Sequence, residues 1–234
     1  MKTISQTALY YIILTTLLFS NALSAQDIVT LKHTFYTSHF SKSKHIPVLV
    51  EYELTSAMVL CSSHISRKGE EFRPDPLLAD ETDLVNDYRY SGYDRGHNMS
   101  AQDNQCNNTG MDECFYFSNI FPQVHSFNAG IWESLEKIER EMAKVNGRIK
   151  VFIGSLGAAT TIGEDHVIVP LYCWKIIYIP SKSKYRCYVF PNSSLNDKEV
   201  EHYSINYELI AQKAGISFNG ETAVLLNKDS KRYN

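Results

Sequence analysis

Gly92-Tyr93-Asp94-Arg95-Gly96-His97 and, further along, Asn128-Ala129-Gly130-Ile131-Trp132-Glu133-Ser134-Leu135-Glu136 are the two stretches on which the reading of this chain turns. The first sets a carboxylate, a guanidinium and an imidazole side by side, with Gly96 allowing a tight turn or a close approach of backbone to a ligand. Imidazole is the usual group for taking a proton near neutral pH. Guanidinium matches phosphate oxygens two at a time. Taken alone, these residues read first as a salt-bridged surface turn and only second as a site.

The second stretch shifts that balance. Ile131, Leu135, Ile138, Met142 and Val145 recur at helical spacing and predict an amphipathic helix with Ser126 as N-cap and Gly147 as stop. Beside that stripe Asn128, Trp132 and Glu136 fall at i, i+4 and i+8, one polar-aromatic row on the same helix. An asparagine in a first turn is often only a cap, and a glutamate two turns later is often only solvated.

Working outward, Pro47–Leu54 alternates and predicts a strand. Phe72-Arg73-Pro74-Asp75-Pro76 and the acidic residues up to Asp87 read as an exposed loop. Phe115–Ile120 reads as a strand stopped by Pro122. Ile149–Ile153, His166–Val169 and Leu171–Ile179 are β-rich, and Tyr185–Phe190 pairs back across the turn 180–184 as a hairpin. A shorter helix near Ser204–Ala214 ends at Gly215. Strands and helices mix without regular βαβ alternation, which predicts an α+β fold.

The N-terminus reads as a leader. Lys2 precedes an apolar run, Ala8–Phe19, too short to span a bilayer. Ala22-Leu23-Ser24-Ala25 then resembles a cleavage site, so residues 1–25 are expected to be a signal peptide and 26–234 one domain, secreted or periplasmic, with no membrane segment in the mature form. The remaining composition, 44% hydrophobic and 21% charged, is that of a globular protein. The formal net charge of −3 argues against a simple electrostatic nucleic-acid binder, although a cleft can still concentrate positive charge.

Five cysteines, Cys61, Cys106, Cys114, Cys173 and Cys187, leave one over in any full pairing, and none shows zinc-type C-x-x-C spacing. Cys173 and Cys187 flank the 180–184 turn symmetrically and are candidates for a cross-hairpin disulfide. Cys106 and Cys114 are the other near pair, with Cys61 as the leftover buried thiol.

Together the two decisive stretches resemble the DNA/RNA non-specific endonuclease family, the ββα-metal, endonuclease G-like nucleases. The resemblance runs from about Val48 to Phe218. It includes Phe72-Arg73-Pro74-Asp75, Asn119 with Pro122-Gln123, Asn128-x3-Trp132-x2-Leu135-Glu136, Val169-Pro170 with Trp174-Lys175-Ile176, and Tyr188-Val189-Phe190-Pro191-Asn192. It implies a ββα-metal fold with a mostly antiparallel central sheet flanked by helices. It also implies roles: His97 as general base, Asn128 as the single protein ligand of the metal, Glu136 as the carboxylate holding water around that metal, Asn119 as a supporting amide, and Arg95 near the scissile phosphate. A second arginine of the family precedes the Phe-Arg-Pro-Asp motif; Arg67 is its nearest candidate, one position off the usual spacing.

The implied reaction is hydrolysis of DNA and RNA backbones with little sequence preference, since phosphate contacts carry no direct sequence information. Mg²⁺ is the implied cofactor, with Mn²⁺ as the alternative, and the implied products carry 5′-phosphate and 3′-hydroxyl ends. The competing readings are a secreted metallohydrolase of non-nucleic phosphodiesters and a non-enzymatic extracellular binding module.

Overall fold

A computed structural model describes residues 27–62, 64–78 and 84–226; the segment read as a signal peptide lies outside them. Six strands, β1 (Ile28–Lys32), β2 (Tyr36–Ser41), β3 (Ile46–Thr55), β6 (Arg148–Ile162), β7 (Val167–Ile179) and β8 (Lys184–Pro191), form an antiparallel sheet in the order β1-β2-β3-β6-β7-β8. The expected strand at Pro47–Leu54 is β3. The two β-rich runs at 166–179 are one strand, β7, passing through Pro170 opposite Ala158 beside a register shift in β6.

Both faces of this sheet are covered. Along β7, Cys173, Ile177 and Ile179 join one apolar cluster, whereas Tyr172, Trp174 and Ile176 join another. That is the period-two alternation of a strand buried on both sides. The second cluster is closed by the C-terminal helix Tyr207–Ala214, capped by the Asn206 side chain and ended by left-handed Gly215, and by a small hairpin of β9 (Ile216–Phe218) and β10 (Ala223–Leu225). The first is closed by a two-stranded ribbon, β4 (Tyr93–His97) with β5 (Ile120–Val124), and by the long helix Glu133–Asn146. The architecture is α+β and mostly antiparallel, and the ribbon followed by the helix is a ββα unit.

Several local expectations are corrected. Phe115–Ile120 is not the strand: Phe117–Asn119 forms a 3₁₀ turn, and β5 starts at Ile120 and carries Pro122 within it. A two-stranded ribbon tolerates this because proline lacks only a donor, which an edge position does not need. Asn192 exploits the free carbonyl, donating from Nδ2 to Pro122 O (2.9 Å) and Pro170 O (3.0 Å) while Oδ1 accepts from Val124 N. One amide thereby fastens the ribbon to β7. Ser126 does not cap the helix; the first turn, His125–Phe127, starts after Val124, and Ser126 Oγ pairs with Ser194 Oγ. The stripe is also rotated: Val145 is exposed, while Glu136, Glu139 and Ala143 are buried beside Leu135.

The cysteine pairings differ as well. Cys61 bridges Cys106, with a Cα–Cα distance of 6.0 Å, and Cys114, Cys173 and Cys187 are free and buried. The 3₁₀ turn Pro180–Lys182 sets Cys173 opposite Phe190 and Cys187 opposite Ile176. This register is three residues away from the symmetric one. An odd offset sends the two thiols to opposite faces of the sheet.

Candidate active site

The ribbon β4–β5 presents the first decisive stretch. Its register places Asp94 opposite Gln123, Gly96 opposite Phe121 and His97 opposite Ile120. Gly96 serves a close approach rather than a turn: a Cβ there would lie 2.1 Å from Gln123 Oε1. The imidazole of His97 lies between two aromatic rings, 5.2 Å from Phe72 and 5.0 Å edge-on to Phe115. Burial pushes its pKa down to about 3, and the charge of Arg67 adds to the effect. The ring is neutral at any physiological pH.

Two guanidinium groups flank it. Arg95 is stacked between Phe72 (5.3 Å) and Tyr88 (5.6 Å) and donates to Val85 O at 3.3 Å. Arg67 lies over Phe115 at 5.5 Å, the same ring that His97 touches. Among the described residues neither has a carboxylate partner, so both charges remain available to an anion. Four buried polar atoms without a partner, Arg95 Nε, His97 Nε2, Asn98 Oδ1 and Gln123 Oε1, lie on β4, the residue after it, and β5. Orphaned buried polar atoms are uncommon in folded proteins and ask for an explanation. Arg95 and His97 alternate onto one face of β4, so Arg95 Nε and His97 Nε2 belong to the same side of the ribbon, whereas Gln123 lies on the other side, towards Cys173.

Phe72 comes from the segment read as an exposed loop, whose first residues, Arg73 and Asp75, are in fact pinned down. Asp75 is buried and accepts from His33 Nε2 at 2.8 Å, from Leu77 N at 2.9 Å and from Ser118 Oγ. Arg73 donates to Asp112 O and stacks on Tyr116. These anchors hold the Phe72 ring against His97.

The second stretch does not form one straight α-helix. Asn128–Trp132 is a wider π-helical turn, with Gly130 outside helical geometry at φ −118 and ψ −107. Such insertions recur at functional sites, and this one displaces Asn128 from the row it would share with Trp132 and Glu136. The displaced amide faces Asp94: Asn128 Nδ2 donates to Asp94 Oδ2 at 2.8 Å. His125 Nδ1 pairs with the same oxygen at 2.9 Å. The nitrogen end of the amide is thus occupied, and its oxygen is the end left to a ligand. Trp132 Nε1 donates to the His97 carbonyl at 3.3 Å, tying helix to ribbon.

Glu136 is nearly buried and has no hydrogen bond among the described residues. Burial pushes its pKa up to about 7, against the lowering effect of Lys175, with Asp103 and Glu139 pushing further upward. It borders a buried charge network in which Lys175 pairs with Glu139 at 3.1 Å and Arg140 with Asp103 at 3.1 Å. Lys175 Nζ also sits 4.4 Å from the Trp132 ring centre. Asn119 is placed differently. Its Nδ2 donates to Met99 O and Cys114 O, and its Oδ1 accepts from Met99 N, all at 2.9 Å. Every polar group of that side chain is spent on backbone, which fixes the loop following His97.

A model of the DNA/RNA non-specific endonuclease family matches residues 15–225. The chain belongs to that family. It is 29% identical to mitochondrial endonuclease G of Bos taurus, over 74% of this chain and 70% of that protein. It is 26% identical to nuclease C1 of Cunninghamella echinulata, over 86% of this chain and 85% of the relative. Its fold matches a solved crystal structure of an EndoG/EndoGI complex with a TM-score of 0.76 and 28% identity, covering 82% of this chain and 86% of that one.

For this non-specific endonuclease family member, the donor set available to a metal is sparse. Among the described residues no group of three or more His, Cys, Asp or Glu side chains could hold one. An amide oxygen at Asn128 with a carboxylate at Glu136 suits a hard cation that keeps most of its own waters and not a softer one needing a full protein cage. Phe72, Asp94, Lys175 and Arg140 join the candidate site residues through ring, hydrogen-bond, cation–π and ion-pair contacts. Asp94, Phe72 and Lys175 each stand in a stretch that the resemblance already marks, whereas Arg140 is brought in by tertiary packing alone.

Proposed function

We propose that this chain is an exported, metal-dependent endonuclease that hydrolyses phosphodiester bonds of DNA and RNA with little sequence preference. The observation that carries this reading is a His97 imidazole with Nε2 buried and unpartnered, beside two guanidinium groups, Arg95 and Arg67, that stack on the same aromatic rings and have no carboxylate partner among the described residues.

Neutral His97 takes a proton from a water molecule as that water's oxygen attacks phosphorus. The stacked guanidinium of Arg95, with Arg67 beside it, balances the negative charge that grows on the phosphate oxygens. Both rings of the Phe72–Phe115 pair hold the imidazole in place and keep bulk water off one side. Asn128, oriented through Asp94, would hold Mg²⁺ by its amide oxygen, and Glu136 would hold water around it. When bound, that cation supplies Lewis-acid relief of charge at the phosphate and at the departing 3′ oxygen. The P–O3′ bond breaks as the new P–O bond forms, and the departing 3′ oxygen takes a proton from solvent water, so the products carry 5′-phosphate and 3′-hydroxyl ends. Contacts confined to the backbone leave bases unread, which accounts for low specificity.

Export is supported by the leader-like N-terminus and by the Cys61–Cys106 disulfide, a bond that persists in oxidising compartments. The deciding experiment is nicking of supercoiled plasmid, and degradation of ribosomal RNA, by the purified mature chain with and without chelator. Chelator-sensitive loss of both substrates is expected. Intact plasmid and RNA in the presence of Mg²⁺ and Mn²⁺ would overturn the proposal.

A further inference from the structure

Tyr90 has no packing role. Its residue is 99% exposed, the most exposed large apolar side chain among the described residues. Its backbone is left-handed, with φ +58, a conformation that glycine or asparagine adopts at lower cost than a tyrosine. Neither core packing nor backbone geometry therefore asks for tyrosine at this position.

The loop around it is nonetheless fixed. Ser91 N and Ser91 Oγ both donate to Tyr88 O, Tyr93 N donates to Ser91 Oγ, and Arg89 N donates to Asn86 O. The result is a held backbone that pushes one aromatic ring into solvent. Its place is specific too. Tyr88, two residues earlier, lies 5.6 Å from the Arg95 guanidinium, and β4 begins at Tyr93. Two Cα steps of about 3.8 Å bring the Tyr90 backbone within about 8 Å of that of Tyr88. Tyr90 thus stands two residues along the chain from a ring stacked on Arg95, the guanidinium that meets the phosphate in the nuclease reading.

We propose that Tyr90 is a stacking platform for an unpaired base of the substrate strand next to the scissile phosphate. This rests on the nuclease reading of the site and adds to it a positioning contact that depends on bases without reading their identity. Every base has a π face, so an exposed, pre-positioned aromatic ring holds single-stranded nucleic acid in a sequence-tolerant way. The loop's hydrogen bonds remove the backbone part of the ordering cost that a tyrosine on a mobile loop would meet on binding.

The two native tryptophans make a direct test available. Trp132 and Trp174 are 1% and 0% exposed, so in a Tyr90→Trp variant the new indole is the one open to acrylamide. In chelator, where no cleavage intervenes, the variant is titrated with a thymidine decamer and with an abasic deoxyribose-phosphate decamer of equal charge. The thymidine oligomer should shield the indole from acrylamide and the abasic one should not, although both bind by anisotropy. In steady-state cleavage of a single-stranded oligonucleotide, Tyr90→Ala should raise KM about tenfold with kcat within about twofold, and Tyr90→Phe should match the wild type. Equal shielding by both oligomers, no shielding by a bound thymidine oligomer, no binding of either, or an unchanged KM in Tyr90→Ala would overturn the platform. Base-dependent shielding in a protein that cuts nothing with metal present would instead leave Tyr90's role standing and remove the nuclease reading.

Discussion

Asp94 Oδ2 accepts a hydrogen bond from Asn128 Nδ2 at 2.8 Å, joining the strand that carries His97 to the turn that carries the amide. An asparagine side chain can present either end to a ligand, and a carboxylate partner decides the matter, because it can only accept. The bond therefore fixes which atom of Asn128 faces the site. The π turn that follows His125–Phe127 is where Asn128 meets Asp94.

Asp94→Asn keeps shape and size but can offer Asn128 either a donor or an acceptor. The Mg²⁺ concentration giving half-maximal cleavage is expected to rise about 10- to 100-fold, as for the loss of partners that orient metal ligands elsewhere. At saturating metal the rate should recover most of its wild-type value. An unchanged titration curve would show that Asp94 does not orient Asn128.

His97→Ala removes the proposed base from between Phe72 and Phe115. A positioned acid–base group contributes typically about 10²- to 10⁴-fold, and the variant's turnover should fall within that range while its circular dichroism is preserved. Near-wild-type turnover in the folded variant would exclude His97 as the base.

Local pattern alone makes four of the six sheet strands (β3, β6, β7 and β8), the hairpin across residues 180–184, the helix stop at Gly147 and the two decisive stretches legible, because these depend on alternation, helical spacing and glycine; β1 and β2 go unread. What local pattern misses depends on tertiary partners. Asp75 reads as exposed since nothing in its neighbourhood announces His33 and Ser118, which reach it from distant segments. Glu136 reads locally as a residue that could be merely solvated, yet it is buried next to Glu139, whose ion pair with Lys175 on β7 no local pattern announces. The register of β7 on β8 turns on a 3₁₀ turn that composition does not distinguish from a symmetric one.

Glu136 gives a test through stability in metal-free protein. Its carboxyl is raised in the folded state from 4.5 to about 7 by burial. The folded protein therefore holds this proton more tightly than the unfolded chain. The resulting stability is complete below about pH 4.5 and is lost as pH rises through 7. In chelator, wild-type denaturation midpoints should fall between about pH 5 and 8, and Glu136→Gln, neutral throughout, should flatten that segment. Parallel curves for the two proteins would mean that Glu136 is not the group that titrates there.

The Cys61–Cys106 bridge is expected to matter for activity as much as for stability. It spans 45 residues of sequence, and the interval contains Arg67, Phe72, Arg95 and His97. Closing a loop of that length restrains the unfolded chain and is worth about 2–4 kcal/mol, by the usual range for disulfides. Its position adds a second effect, since Cys61 anchors the start of the segment that carries Arg67 and Phe72 to the site. Cys61→Ser with Cys106→Ser should lower the unfolding free energy by that amount. Well below the transition, the same double variant should also lose several-fold in kcat/KM as the guanidinium and the ring beside His97 loosen. The buried thiols Cys173 and Cys187 supply the control: burial pushes both pKa values up, so they should resist alkylation in the native protein and react once it is unfolded without reductant. Peptide mapping under those conditions should recover Cys61 linked to Cys106 and Cys114, Cys173 and Cys187 alkylated. A peptide joining Cys173 to Cys187 would contradict the β7–β8 register itself, because that register sets the two on opposite faces of the sheet.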